Sequence, residues 1–142
     1  MRISILLVSL LLCSCNHRGP DGLRVINLPQ PDYPVEAREQ KVQGTVEVDV
    51  FIGTDGRVIA AVGKGTQSTL VHAAEQNARL WVFGPFSTAS QFPINHKIAY
   101  RYELCADCKF TISDSPIIKT NLPNSLDIIS QPVVSGYPLR KP

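Results

Sequence analysis

Few residues in this chain have both the type and the spacing to do chemistry. Cys105-Ala106-Asp107-Cys108 is a C-x-x-C. That spacing suits a redox pair, half a zinc site or a short disulfide. A redox pair wants a helix N-terminus to hold its thiolate, and the residues before Cys105 read as a strand. Structural zinc wants four ligands, and no second pair of this kind occurs. A structural disulfide between Cys105 and Cys108 is expected, with free thiols as the alternative. Gly63-Lys64-Gly65-Thr66 hints at a phosphate loop, but Val58 stands where the motif needs glycine and Gly65 where it needs Ser or Thr. It reads as a plain loop. His17, His72 and His96 lack metal-ligand spacing, so neither a metal nor a cofactor is expected. Glu47 and Asp49 share a strand face, where paired carboxylates can move protons; a solvated face is the simpler reading. No G-x-S-x-G is present. No catalytic residue is expected, and the chain is read as a non-enzyme.

The elements that would position these residues follow from periodicity. Pro34 suits the first turn of a helix, where its missing N–H costs nothing, and Val35 to Lys41 would follow. From Thr45 to Ile52, Val46, Val48, Val50 and Ile52 face one way and Thr45, Glu47, Asp49 and Phe51 the other. Period two with β-branched residues predicts a half-buried strand. Asp55-Gly56 predicts a hairpin turn, and Arg57 to Val62 the returning strand. Leu70, Ala73, Ala74, Ala78 and Trp81 fall on one helical face, with Ser68 or Thr66 as its cap and Trp81 in the core. Ile98, Tyr100, Tyr102 and Leu104 alternate as another strand. Beyond Cys105, Phe110 with Ile112 and Leu126 to Ser130 suggest one or two more. The expected fold is α+β: a two-layer structure with an antiparallel sheet of three or more strands, two helices on one face, and a C-terminal β extension.

The 142 residues, 44% of them hydrophobic, suffice for one domain. A net charge of +2 and the lack of any Lys/Arg cluster argue against nucleic acid as a partner. Arg2 and the apolar run Ile3 to Leu12 have the layout of a secretory signal, and the run is shorter than the ~20 residues a bilayer span needs. Leu12-Cys13-Ser14-Cys15 resembles the lipobox of bacterial lipoproteins. The resemblance implies a signal peptide over 1–14, Cys15 as the lipid-attachment residue and a tether over 15–30, with a short strand from Leu23 to Leu28 possible within it. Acyl chains would anchor the protein to the membrane. Asn16 in place of Asp favours the outer membrane. A plain secreted protein with Cys15 in a disulfide is the alternative.

"QPDYPVEAREQKVQGTVEVDVFIGTDGRV", followed by "LVHAAEQNARLWVFGP" and "INHKIAYRYEL", resembles the C-terminal domain of TonB, the periplasmic energy transducer. The shared features are Tyr33-Pro34, Ala37, Gly44-Thr45-Val46, Asp55-Gly56-Arg57-Val58 and the helix ending Ala78-Arg79-Leu80-Trp81-Val82-Phe83, with Pro85 beyond. They place the domain over 31–104 and leave 105–142 as an extension with a loose, proline-containing tail. The resemblance implies a protein or peptide partner such as an outer-membrane β-barrel receptor, whose short peptide adds as a strand. It also implies partner contacts at Gln30, Pro31 and Tyr33, with Tyr100 and Tyr102 on the final strand. Tyr33 can equally pack on the sheet. An anchor at Cys15 cannot relay pull from an inner-membrane motor, so a binding module is expected and not a transducer acting alone. A structural or assembly lipoprotein, as a homodimer, is the alternative. The extension is expected either to cover the sheet edge that docks the partner or to build a different edge.

Overall fold

The computed structural model describes residues 22–86, 90–108 and 115–133. In chain order the elements are β1 (Val25–Asn27), α1 (Val35–Glu39), β2 (Gly44–Ile52), β3 (Val58–Lys64), α2 (Ser68–Ala78), β4 (Val82–Phe83), β5 (Ile94–Leu104), β6 (Ile117–Asn121) and β7 (Ser125–Ser130). The signal segment, Cys15, His17, the strand expected at Phe110 and Ile112, and the tail from residue 134 lie outside the described residues.

The alternation in β2 works as period two requires. Val46, Val48, Val50 and Ile52 are all buried. The opposite face carries cross-strand ion pairs: Lys97 to Glu47 and Lys64 to Asp49, both at 2.9 Å, and Arg101 to Asp127 at 3.0 Å. Between β2 and β3, Gly56 takes φ +80°. A Cβ there would collide with the Phe83 carbonyl. The Phe83 N–H donates to the Gly56 carbonyl at 2.8 Å. Glycine is needed both for the turn and for this close approach.

Pro34 precedes α1 with φ −54°, and Lys41 closes the segment with a left-handed φ of +54°. The Val42 N–H reaches back to the Ala37 carbonyl at 2.8 Å. On α2, Leu70, Ala74 and Ala78 join the valine face in one core. Each large apolar side chain buried this way contributes roughly 1.5–3 kcal/mol. The expected cap from Ser68 or Thr66 does not form: Gln67 is the N-cap, in extended backbone and without a side-chain cap. Trp81 lies just past the helix and is fully buried. Its indole packs near Phe83 and Tyr100, at 5.6 and 6.3 Å between ring centres.

The main sheet has the order β3-β2-β5-β7-β6, and β1 pairs with β4 in a separate two-stranded ribbon. Residues 22–30, expected within the tether, therefore pack on the domain: Leu23 is buried and Val25 pairs with Phe83. Pairing of β2 with β5 is antiparallel from Gly44↔Tyr102 to Ile52↔Ile94. The sheet departs from a purely antiparallel one at a single junction. β7 runs parallel to β5, from Ala99↔Ser125 to Leu104↔Ser130. The cause is topological. β6 turns back from β5 but leaves room for one strand, and β7, paired antiparallel to β6, fills that room and so must run along β5. Sequence reading missed β4, which is two residues long, and β6, whose short apolar content sits between Pro116 and Pro123.

Candidate protein-binding surface

The sequence places its contact residues at the start of the domain and on β5. The structure separates them. Gln30 is exposed, whereas Pro31 is buried. Tyr33, Tyr100 and Tyr102 are only 1, 0 and 2% exposed. As direct side-chain contacts, Pro31 and these three tyrosines are corrected to packing residues: β5 turns Tyr100 and Tyr102 to the core side, and Pro31 and Tyr33 are buried just ahead of α1. Tyr33 meets the edge of the Tyr102 ring at 5.2 Å, and its hydroxyl donates to the Val42 carbonyl at 2.6 Å. Burial pushes the Tyr33 phenol up to about 12. Tyr100 and Tyr102 are raised further by burial, Tyr100 also by Tyr102, and Tyr102 also by Asp32 and Tyr33.

One residue that holds this arrangement was missed. Asn77 is buried on the apolar side of α2. Its Oδ1 accepts from the Trp81 indole at 2.9 Å and from the Tyr100 hydroxyl at 3.0 Å. Its Nδ2 donates to the Pro29 carbonyl at 3.1 Å. Its position four residues before Trp81 and between Ala74 and Ala78 was the available signal. Outside this hub, Gln30, Asp32, Val35, His72, Gln76 and Leu80 line a groove of about 790 Å³ between α1 and α2.

The residues with chemical potential are occupied in ordinary ways. Glu47 and Asp49 are paired with lysines, and the Lys64 hydrogen bond holds Asp49 below its usual range. Where a phosphate loop would offer amides, the Gly63 N–H donates to the Glu75 carboxylate at 2.6 Å. His72 contacts Gln76, and His96 contacts the Pro123 carbonyl. Cys105 and Cys108 form the disulfide, with Cα atoms 5.5 Å apart. The Cys105 N–H donates to the Ser130 carbonyl at 2.9 Å, and Gln131 donates to the Cys108 carbonyl. The bridged turn thus ties the end of β5 to the end of β7.

What remains as binding equipment is backbone at the sheet margins. At β5, β2 lies on one side, and β7 on the other from Ala99 to Leu104. At β3, α2 reaches over the rim: Glu75 takes the Gly63 N–H, and Arg79 donates to the Ala61 carbonyl at 3.4 Å. At β6, no strand lies outside among the described residues. Among those residues, too, no helix is long and apolar enough to cross a membrane.

A small sheet half-covered by helices, with backbone available at a margin, defines a two-layer α+β domain. Residues 29–104 match the model of the Gram-negative bacterial TonB protein C-terminal family, and the chain belongs to that family. The match ends where β5 ends, so β6, β7 and the disulfide lie beyond it. Membership places the domain in the periplasm, among domains that interact with other proteins. No curated protein matches the sequence significantly.

Proposed function

We propose that this chain is a lipid-anchored periplasmic module that binds an extended segment of an outer-membrane β-barrel protein as an added strand. The observation that carries this reading is the family domain over residues 29–104, built as a sheet with one face under helices and backbone at its rim. Strand addition draws affinity from main-chain hydrogen bonds and selectivity from alternate side chains. The Leu12-Cys13-Ser14-Cys15 stretch supports attachment at Cys15, and Asn16 supports the outer membrane. The module does no covalent chemistry in this reading: its strand carboxylates are held by Lys64 and Lys97. Cross-linking in intact cells, followed by affinity capture and mass spectrometry, tests it. A β-barrel protein should be recovered, and recovery of this chain alone would favour a self-associating scaffold. Anchoring is tested separately: Cys15→Ser should abolish incorporation of labelled palmitate.

A further inference from the structure

We infer that the visiting strand is received at β6, not at β5, and that it carries an aspartate or glutamate opposite Lys119. This rests on the strand-binding reading above. β5 is paired on both sides from Ala99 to Leu104, the half that carries its tyrosines, and the strand that closes that half is no loose latch: Leu126 and Ile128 of β7 are fully buried in the core. A visitor there would have to replace packing as well as hydrogen bonds. At β3 it would have to displace Glu75 from the Gly63 N–H and Arg79 from the Ala61 carbonyl.

β6 meets neither obstacle among the described residues. Its register with β7 sets Ile118 and Thr120 beside Ile128 and Leu126, on the core side. Ile118 is half-buried against the core, so an apolar side chain placed next to it extends that core. Ile117, Lys119 and Asn121 share the charged face. Lys119 stands opposite Asp127, but that carboxylate holds Arg101 at 3.0 Å. Among the described residues no carboxylate forms an ion pair with Lys119. The charge also selects the occupant. A second copy pairing over all five residues of β6 by a two-fold axis sets Lys119 against Lys119, and like charges directly opposite oppose pairing. A foreign strand, apolar on one side and acidic at the centre of the other, fits both faces.

Two synthetic heptapeptides of alternating valine and threonine test this, identical except for aspartate or lysine at the centre. Each is titrated into the isotopically labelled full chain in detergent solution while backbone amide shifts are followed. The aspartate peptide should shift the amides of residues 117–121 saturably and bind about fivefold more tightly than its lysine twin. Lys119→Glu should invert that preference. Saturable shifts confined to residues 59–64 or to the α1–α2 groove would overturn the β6 site while leaving peptide binding intact. Absence of saturation, absence of a charge preference, or concentration-dependent β6 shifts without peptide would also overturn it. The reading it rests on fails separately, by recovery of no β-barrel partner from cross-linked cells.

Discussion

The two outer strands of the sheet face the same physical problem and meet it differently. β3 belongs to the family domain and is partly shielded by side chains of the neighbouring helix: Glu75 and Arg79 bind two of its outward backbone groups, the Gly63 N–H and the Ala61 carbonyl. β6 belongs to the extension, and its outward backbone meets no strand among the described residues. Unpaired strand edges invite further pairing, and proteins suppress this by covering the edge or by charging it. β3 is covered, whereas β6 carries Lys119 at its centre. A rim capped by side chains resists any visitor that cannot displace them; a charged rim refuses like charge and remains open to its opposite. The extension has therefore changed the character of the sheet margin as well as its position.

Removing the extension is the strongest way to break this comparison. Deleting residues 105–142 takes Leu126 and Ile128 out of the core and bares the side of β5 next to Tyr100 and Tyr102. At roughly 1.5–3 kcal/mol for each large side chain, the loss is about 3–6 kcal/mol, a large share of a typical domain's stability of about 5–15 kcal/mol. Urea denaturation should show that loss, and light scattering should show aggregation through the bared edge. If the truncated domain were as stable as the full chain, β7 would be an addition to the surface and not part of the core.

Asn77 tests the core from the helix side, within the family domain. Asn77→Ala leaves the Trp81 indole N–H and the Tyr100 hydroxyl buried without their acceptor. At about 1–3 kcal/mol for each abandoned group, a loss of roughly 2–6 kcal/mol is expected in urea denaturation. Loss of the Pro29 contact should also loosen residues 22–30, read as faster amide exchange in β1.

These two sites also mark how far the sequence was legible. The valine ladder of β2, the Asp55-Gly56 turn, the α2 face with Trp81 and the strand 97–104 could all be read, because period and turn chemistry act locally. The family resemblance could be read from the same segments, since they carry its motif residues. The parallel place of β7 could not. Leu126 to Ser130 announces a strand, but nothing local states which neighbour it takes or in which direction. The tyrosines were misassigned for a related reason. Alternation gives Tyr100 and Tyr102 a shared face, while only the tertiary structure shows that the helices lie over that face. Asn77 looked like one more polar helix residue because its partners, Pro29 and Tyr100, are distant in sequence.

A smaller effect should appear only in alkali. Tyr33 is raised from the ordinary value of 10.0 to about 12, and Tyr100 and Tyr102 are raised in the same direction by burial. The unfolded chain releases these protons more readily than the folded one. Stability is therefore fully present below about pH 10 and falls as pH rises from there through pH 12. Tyrosinate absorbance should rise together with loss of near-ultraviolet circular dichroism. Tyr33→Phe should move that transition to higher pH.

The smallest effect sharpens the contrast between the two rims most directly. Glu75 lies near the surface of α2, and replacing it with alanine returns the Gly63 N–H to solvent instead of trapping it in the core. A hydrogen bond to a charged group at such a place contributes about 1 kcal/mol or slightly more, so Glu75→Ala should cost little in denaturation. Its consequence for pairing should be larger than its consequence for stability. With Arg79→Ala added, the two capped backbone groups of β3 lose their covers, and the exposed Ile59 and Val62 stand beside an open edge without a β6-like lysine at its centre. The double variant should self-associate in sedimentation experiments at concentrations where the parent chain does not. If it stays as dispersed as the parent, the side-chain covers are incidental, and the difference between β3 and β6 must lie in strand twist or length instead.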